Sequence, residues 1–421
     1  MRILLINQCF YPDVVSTAQH ARDLSCALYN NGHDVTVIAS DRGYDDPAVH
    51  FPRQEVWNGI EILRVPCLAT GKGNRSKRAL NILSFFLTAF WRLLTMRSFD
   101  VVIALTSPPL ISALAAAFVR MKGGRFIYWV MDLNPDEAIA AGWLDENSRT
   151  ARLLESASRF SVDAADNIVV LDRFMRDRFL AKGIPAEKLA VLPPWSHSQD
   201  VQYDAKGRKV FRDRHGLTGK YVVMYSGNHS PCHPLDTVLE AARRLADDPA
   251  VMFCFIGGGS EYPKVRAFAE RHRLNNVLCL PYQPLEELSA SLSAADLHVV
   301  VMGDPFAGLV HPCKIYNVME IGIPVLYIGP DPSHVTDIAS ANPRIPITRC
   351  EHGDVAGVME AIGAGDLALA PDQGVRRAAE AFSAERILGS YMALIETSRL
   401  PEVRFEEPVA TAARAAAGGS R

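Results

Sequence analysis

Short apolar runs and amphipathic segments alternate along most of the chain. In the first half, the runs that predict buried strands are Ile3–Ile6, Asp34–Ala39, Asp100–Leu105, Phe126–Met131 and Asn167–Leu171. Several of these runs end in polar or glycine-containing loops, and segments with helical periodicity lie between them. Strands that alternate with helices predict a parallel sheet whose two faces are covered by helices.

The same alternation restarts after a break in the middle of the chain. Leu192-Pro193-Pro194-Trp195 and residues 196–208 interrupt every periodicity, and strands are then predicted at Tyr221–Tyr225, Met252–Ile256, Val277–Leu280, Leu297–Met302 and Val325–Ile328. The fold class is therefore α/β, with two Rossmann-like domains facing a central cleft. We expect a first domain at 1–195, a linker at 196–215, a second domain at 216–374, a helix at 375–397 that returns to the first domain, and a disordered tail at 398–421.

Polar and glycine residues gather where the strands of the second half end, which is where open α/β sheets bind ligands. These positions hold Gly227, Asn228, His233, Gly257 and Gly258. Lys314 falls in the first turn of a helix that opens near Cys313, where backbone N–H groups, the helix dipole and an amine suit a phosphate. Together these loops predict a diphosphate site. The alternative is a buried strand–helix–strand unit with an incidental lysine.

Two strands of the first half also end in polar residues. One is followed by Thr106-Ser107-Pro108-Pro109 and the other by Asp132-Leu133-Asn134-Pro135-Asp136. Asp132 and Asp136 are candidate carboxylates on the acceptor side of the cleft. Asp136 has a second interpretation, because Asn-Pro-Asp is a good helix start and Asp136 could serve there as a cap.

Composition and charge exclude several classes of protein. The net charge of −3 argues against a nucleic-acid binder, and the absence of Gly-x-Gly-x-x-Gly argues against a nicotinamide enzyme. The eight cysteines show no Cys-x-x-Cys spacing, and the apolar run at the N-terminus is too short for a signal peptide. These features are typical of a cytoplasmic protein with reduced thiols.

A basic turn precedes a strongly apolar segment. Lys72, Arg75, Lys77 and Arg78 are followed by Ala79–Leu94, about sixteen residues, whereas about 20 are needed to cross a bilayer. Such a helix could lie on the anionic inner face of a membrane, as a peripheral contact, or it could be a core helix with solvated basic ends.

Several motifs occur in a specific order. They are Asn31-Gly32-His33-Asp34-Val35-Thr36-Val37, the Thr106–Pro109 and Asp132–Asp136 loops, Ser226-Gly227-Asn228, Ile256-Gly257-Gly258-Gly259, and Pro312-Cys313-Lys314-Ile315-Tyr316-Asn317-Val318-Met319 with Gly322-Ile323-Pro324-Val325. Because of these motifs, the chain resembles the two-domain GT-B glycosyltransferases from Met1 to about Ile395. The resemblance is to the retaining family-4 group in particular, and within it to the bacterial exopolysaccharide and O-antigen enzymes.

The resemblance implies a hexosyltransferase that moves a sugar, with retention, from a nucleotide-diphosphate sugar to a hydroxyl of a lipid-linked saccharide, without a metal or a cofactor. Asp132 and Lys314 would be catalytic. The diphosphate would contact Gly227, Asn228, His233, Lys314, Gly308, Leu309 and Val310, and the nucleoside would contact Gly257, Gly258, Asn317 and Glu320. The acceptor and the sugar would contact Thr17, Tyr11, Ser107, Asp132 and Asp136, with Phe10 closing over them from the first loop.

The chain departs from the family pattern at four positions. Asn228 and His233 stand where the family usually has an arginine and a lysine, and Leu309 and Asn317 stand where it has two glutamates. Lys314 could replace the missing cation and Glu320 could replace the second carboxylate. A nucleotide-sugar 2-epimerase of the same architecture and a non-catalytic binding or scaffold protein are the alternative functions.

Overall fold

The computed structural model describes residues 1–44, 46–68, 75–196, 201–343, 345–364, 375 and 378–397. The predicted tail at 398–421, residues 365–374 at the end of the predicted second domain, and Lys72 of the basic turn lie outside these residues. Within them, the predicted α/β fold with two Rossmann-like halves is confirmed.

The first domain is built on an eight-stranded sheet with the order β3-β4-β2-β1-β5-β6-β7-β8. The strands are β1 (Arg2–Ile6), β2 (Asp34–Ser40), β3 (Gln54–Trp57), β4 (Ile60–Val65), β5 (Val101–Ala104), β6 (Arg125–Trp129), β7 (Asn167–Val170) and β8 (Leu189–Val191). The helices are α1 (Ser16–Asn30), α2 (Arg75–Thr95), α3 (Ser112–Lys122), α4 (Asp136–Ala140), α5 (Arg149–Ala164) and α6 (Arg173–Ala181). β3 pairs antiparallel with β4, and the remaining pairs are parallel.

The second domain has a six-stranded parallel sheet with the order β11-β10-β9-β12-β13-β14. Its strands are β9 (Tyr221–Asn228), β10 (Val251–Gly258), β11 (Val277–Leu280), β12 (Leu297–Val301), β13 (Val325–Ile328) and β14 (Ile347–Cys350). Its helices are α7 (Ala205–Arg214), α8 (Asp236–Arg244), α9 (Tyr262–His272), α10 (Leu288–Ser293), α11 (Lys314–Ile321), α12 (His334–Ala341) and α13 (Val355–Gly363). The strands β12 and β13 are buried along their whole length because helices cover both faces of the sheet.

The boundary between the domains is shorter than the predicted linker at 196–215. Residues 205–214 form α7, and Val201, Phe211 and Leu217 are buried in one apolar cluster with strand residues of the second domain. Two guanidinium groups of α7, from Arg208 and Arg212, also bind the Asp296 carboxylate. Most of the predicted linker therefore belongs to the second domain, because its apolar face is needed to cover that sheet.

The last described helix, α14 (Ala384–Thr397), packs on the first domain. The Tyr391 ring lies 4.9 Å from the Trp129 ring and 5.8 Å from the Trp195 ring, centroid to centroid. The Arg125 guanidinium donates to backbone carbonyls of α14. An element that follows the whole second domain thus completes the core of the first.

Helix α2 is buried on one side and exposed on the other. Phe85, Ala89 and Leu93 are buried against the first domain. The opposite side exposes a stripe of large apolar residues at helical spacing, namely Leu80, Leu83, Leu87 and Trp91. Among the described residues, no helix combines the length and the apolar character that crossing a membrane requires. The buried face of α2 agrees with the core-helix interpretation, and the membrane-surface interpretation stays a prediction for the exposed face.

Candidate active site

Lys314 begins α11 and extends its amine toward the end of β9. The amine nitrogen lies 3.4 Å from the centroid of the Tyr225 ring, and a Cβ at Gly227 would lie 3.4 Å from it. Nζ is buried and makes no hydrogen bond within the part of the chain that the structure describes. Burial lowers the pKa of this amine well below its usual range. A buried amine held against an aromatic face has the chemistry of an anion site.

Two histidines lie beside this amine. The Nδ1 atoms of His229 and His233 donate to backbone carbonyls, at 3.0 Å to Gly227 and 2.7 Å to Val301. Burial, with Lys314 as the second cause, lowers the pKa of His229 to about 4 and that of His233 to about 3. Both imidazoles are therefore neutral near pH 7, and the Lys314 amine is the remaining titratable group of the three.

The glycine loops at the ends of β9 and β10 lie directly against each other. A Cβ at Gly257 would lie 2.1 Å from the Gly227 carbonyl oxygen, so only glycine permits this approach. The Tyr282 ring covers the same loop, within 3.3 Å of Cβ positions at Gly257 and Gly258. Asn228 is exposed at the edge of this surface. These residues form a narrow floor next to Lys314, where a flat group could lie beside a phosphate.

Asp132 faces the second domain from the carboxyl end of β6. Burial, with a further contribution from the Glu137 carboxyl, raises the pKa of Asp132 to about 8. Burial also raises the pKa values of the Cys232 and Cys313 thiols, and the charge of Asp132 adds to both shifts, which places its carboxyl near both thiols. The Cys232 thiol itself lies 3.6 Å from Glu137 Oε1. Asp132 and Lys314 therefore approach the cleft from opposite domains.

The predicted diphosphate contacts Gly308, Leu309 and Val310 lie in the loop from Gly303 to Pro312. The amides of Leu309 and Val310 both donate to the Phe306 carbonyl, at 2.9 and 3.2 Å. Both side chains are buried, and Leu309 packs in the core of the first domain. Gly308 has a φ of 73° and lies against the Phe174 backbone. Gly308 and Leu309 thus contact the first domain, Val310 packs among residues of the second domain, and the amides of Leu309 and Val310 are bonded within the loop.

The predicted nucleoside contacts on α11 separate in the structure. Asn317 is half-buried one turn after Lys314. Glu320 accepts a hydrogen bond of 2.7 Å from the Ser196 hydroxyl, at the end of the first domain. Glu320 therefore has a structural role besides the predicted one, because its carboxylate connects α11 to the segment that joins the domains.

The predicted acceptor residues also divide into two groups. Ser107, just after β5, and Thr17, in the first turn of α1, both contact the buried Cys9 thiol, so their hydroxyls lie close together. Tyr11 instead stacks on Trp57 with ring centroids 4.2 Å apart. Asp136 forms an ion pair of 2.7 Å with Lys182. Phe10, expected to close over the sugar, is buried in the core of the first domain.

Sequence reasoning did not select Tyr225, Glu137, Cys232 or Tyr282 as site residues. Tyr225 is the last apolar residue of a buried strand, so its pattern indicates core packing alone. Glu137 follows Asp136 in the first turn of α4, where acidic residues are common for helix stability. Cys232 shares a loop with His233, and that proximity is the one signal that could have drawn attention to it.

Two family profiles match this chain. Residues 17–195 match the glycosyl transferase 4-like domain, and residues 207–333 match the glycosyl transferases group 1. The first covers the domain that carries Asp132 and the second covers the domain that carries Lys314. The chain is a GT-B glycosyltransferase of the family-4 type.

Relatives and solved structures agree with this assignment. This glycosyltransferase is 25% identical over 340 residues to WcaI of Escherichia coli strain K12, which is named as a colanic acid biosynthesis glycosyl transferase. The aligned region covers 76% of this chain and 82% of WcaI. Sucrose-phosphate synthase of Thermosynechococcus elongatus has a TM-score of 0.71 at 16% identity, over 94% of this chain and 98% of the synthase. Anabaena Alr3699/HepE, solved with UDP and glucose, has a TM-score of 0.69 at 14% identity, over 94% and 100%. These two likenesses show the shared fold.

Proposed function

We propose that this glycosyltransferase moves a hexosyl group, with retention of configuration, from a nucleotide-diphosphate sugar to a hydroxyl of a lipid-linked saccharide during surface-polysaccharide assembly. The similarity to WcaI supports the polysaccharide context, and the UDP complex of HepE supports a nucleotide-sugar donor. The proposed chemistry uses side chains of this chain alone, with no metal and no cofactor.

The observation that carries the proposal is the buried Lys314 amine. An amine whose pKa is lowered by burial gains its proton most readily when an anion arrives beside it. The Gly227 backbone lies directly beside this amine and carries no side chain that would cover it. When the bond to the sugar breaks, negative charge grows on the diphosphate, and a cation fixed in that position stabilises the transition state more than the ground state.

Asp132 would act on the acceptor side of the cleft. Its pKa of about 8 places a carboxyl group there that can hold a proton or accept one near neutral pH. In the ionised form it would orient the acceptor hydroxyl and withdraw its proton, with the departing phosphate as the alternative base. Ser107, just after β5, and Thr17, in the first turn of α1, would contact the sugar acceptor.

A thermal-shift screen tests the donor proposal. The purified protein would be heated with UDP, GDP, dTDP, CMP or NAD, with and without magnesium. A ligand present at 1,000 times its Kd stabilises the folded state by about 4 kcal/mol, which is easily measured. We expect one nucleoside diphosphate to raise the Tm equally in both conditions. No shift with any of them would reject the donor site, and a shift that needs magnesium would reject metal-independent binding.

The exposed stripe of α2 would bring the enzyme to its lipid-linked acceptor. Leu83, Leu87 and Trp91 are each more than half exposed, and Lys77 and Arg92 lie on the same helix. Large apolar side chains beside basic ones fit the interface of an anionic bilayer, where each basic group adds on the order of 1 kcal/mol. We therefore propose an inner-membrane surface as the partner of this face and a peripheral cytoplasmic location.

Vesicle sedimentation tests this contact. The wild type should sediment with phosphatidylglycerol vesicles more than with phosphatidylcholine vesicles, and Leu83→Glu with Leu87→Glu should remain in the supernatant. Leu153→Glu is the matched control, because Leu153 is an exposed leucine on another helix of the same domain. Equal sedimentation of all three proteins would reject α2 as the contact.

A further inference from the structure

A chain of buried hydrogen bonds crosses from the first domain to the helix that carries Lys314. The Asp172 carboxylate, just after β7, lies 2.7 Å from His311 Nδ1, and His311 Nε2 lies 2.7 Å from the Tyr316 hydroxyl. All three side chains are buried. Asp172 also caps α6 by accepting from the Met175 amide at 2.8 Å. The chain therefore joins the start of α6 to the start of α11.

The hydrogen bonds between Asp172, His311 and Tyr316 favour one arrangement of their protons. Burial acts to raise the pKa of Asp172, but the hydrogen bond from His311 is the largest of the opposing contributions, and the pKa is lowered. Asp172 is thus ionised and accepts from Nδ1–H of His311. Burial raises the pKa of Tyr316 well above its usual range, so its hydroxyl keeps its proton and can donate to Nε2. The two partners hold the His311 ring between them and favour the tautomer with its proton on Nδ1.

Asp172, His311 and His334 are also a set of residue types that could bind a metal ion. Two imidazoles bound to one tetrahedral ion aim their nitrogens at a point about 2 Å away, which holds their ring centroids roughly 5 Å apart. Here the rings of His311 and His334 are stacked, with centroids 3.9 Å apart. This geometry favours a hydrogen-bonded chain that is packed against His334.

The loop that leads into α11 is held by the first domain at alternate residues. The Arg178 guanidinium donates to the Ala307 carbonyl at 3.0 Å, and the Leu133 amide donates to the Leu309 carbonyl at 2.8 Å. His311, two residues further on, is the third contact of this series. Lys314 follows three residues later, so an error in the path of this backbone would displace its amine.

We propose that Asp172, His311 and Tyr316 are positioning residues, which fix the backbone entering α11 and so hold the Lys314 amine where the donor diphosphate binds. The inference rests on the proposed function, because it assigns these residues to the same donor site. It also makes the donor site of the second domain depend on a side chain of the first domain, because Asp172 lies in the first domain.

Substitutions at all three residues test this hydrogen-bond chain. Asp172→Asn keeps an oxygen for the Met175 cap but turns an amide toward His311, which reverses the preferred tautomer. His311→Asn retains a donor near the position of Nδ1 and should rescue part of the function that His311→Ala loses. Tyr316→Phe removes one hydroxyl, and Tyr327→Phe is its matched control, because the Tyr327 hydroxyl bonds to Pro330 within the second domain.

Two readouts distinguish positioning from general stability. At a temperature where every variant is folded, UDP binding measured by calorimetry should weaken about tenfold in Asp172→Asn and in His311→Ala, and turnover should fall about 10²-fold, as expected for a displaced catalytic group. Hydrogen exchange of residues 303–321 should become faster in the same variants. His311→Asn should lie between His311→Ala and the wild type, and Tyr327→Phe should match the wild type.

UDP affinity, turnover and exchange within twofold of wild type in folded Asp172→Asn would overturn the inference, as would a lower Tm with unchanged UDP binding. If the wild type itself bound no nucleoside diphosphate, the proposed function would fail instead. Hydrogen exchange at residues 303–321 would then still decide the positioning role: faster exchange in Asp172→Asn supports it, and unchanged exchange rejects it.

Discussion

Replacing Lys314 with methionine should separate donor binding from folding. Methionine keeps the length and apolar stem of the side chain and removes only the amine. In the free protein this amine is buried and makes no hydrogen bond to the described residues, so its removal leaves no partner unpaired there. We therefore expect the Tm of Lys314→Met to equal or exceed that of the wild type.

Donor affinity should change in the opposite direction. A hydrogen bond to a charged group contributes about 1.5–3 kcal/mol, so the Kd for UDP should rise by roughly 10- to 150-fold. Turnover should fall further, by roughly 10²- to 10³-fold, because the amine stabilises charge that develops on the leaving group.

Proton uptake gives a second, independent measurement. Burial lowers the pKa of Lys314, and a bound diphosphate should raise it again, so a proton is taken up when the pH lies between the two values. Calorimetry at one pH in two buffers of different ionisation enthalpy measures this uptake. His229 and His233, with pKa values of about 4 and 3, stay neutral at pH 7 to 8 and contribute little.

Lys220→Met is the control for this experiment. Lys220 lies just before β9, at the opposite end of that strand from Gly227, and its amine bonds to the Pro249 carbonyl. We expect it to bind UDP as the wild type does and to show the same proton uptake. The reasoning would be refuted if folded Lys314→Met bound UDP within twofold of the wild type and took up the same number of protons.

The structure supports three other predictions. Because Asp132 must be ionised to act as a base and has a raised pKa, kcat/KM should increase with pH through about 8, and Asp132→Asn should lose both activity and this limb of the pH profile. Gly308→Ala should lower the Tm more than Gly32→Ala. Both glycines have a positive φ, which costs about 1–2 kcal/mol for a residue with a Cβ, but only at Gly308 would the Cβ lie 2.7 Å from the Phe174 carbonyl oxygen. Equal losses of Tm in the two variants would contradict this prediction. Tyr391→Ala should destabilise the first domain by about 3–5 kcal/mol in urea unfolding, and a loss below 1 kcal/mol would show that α14 is not part of its core.

The sequence predicted those parts of the fold that depend on local periodicity. The ten predicted strands and the start of α11 near Cys313 follow from runs of apolar residues and from helix-start patterns, and the structure has them, but the parallel strands β4, β8 and β14 were not predicted. The antiparallel strand β3 was missed, because its four residues, Gln54–Trp57, lie at the edge of the sheet and include no continuous apolar run.

Contacts between distant residues could not be predicted in this way. The hydrogen bond between Asp172 and His311 joins positions 139 residues apart, and neither residue belongs to a motif. Leu309 was expected beside the diphosphate because of its place in a loop, yet its side chain packs in the other domain. Glu320 likewise has a partner, Ser196, that only the folded chain brings near. Position along the chain identifies a loop at the cleft, but the domain interface decides which way its residues face.

The path of α14 has a consequence for synthesis. During translation the first domain emerges long before α14, so Trp129 and Trp195 then lack the Tyr391 ring that packs against them. Part of the aromatic core of the first domain therefore stays uncovered while the entire second domain is synthesised. A chain that stops before residue 384 would keep this surface open, which makes it a target for chaperones and proteases and leaves enzyme assembly dependent on completion of both domains.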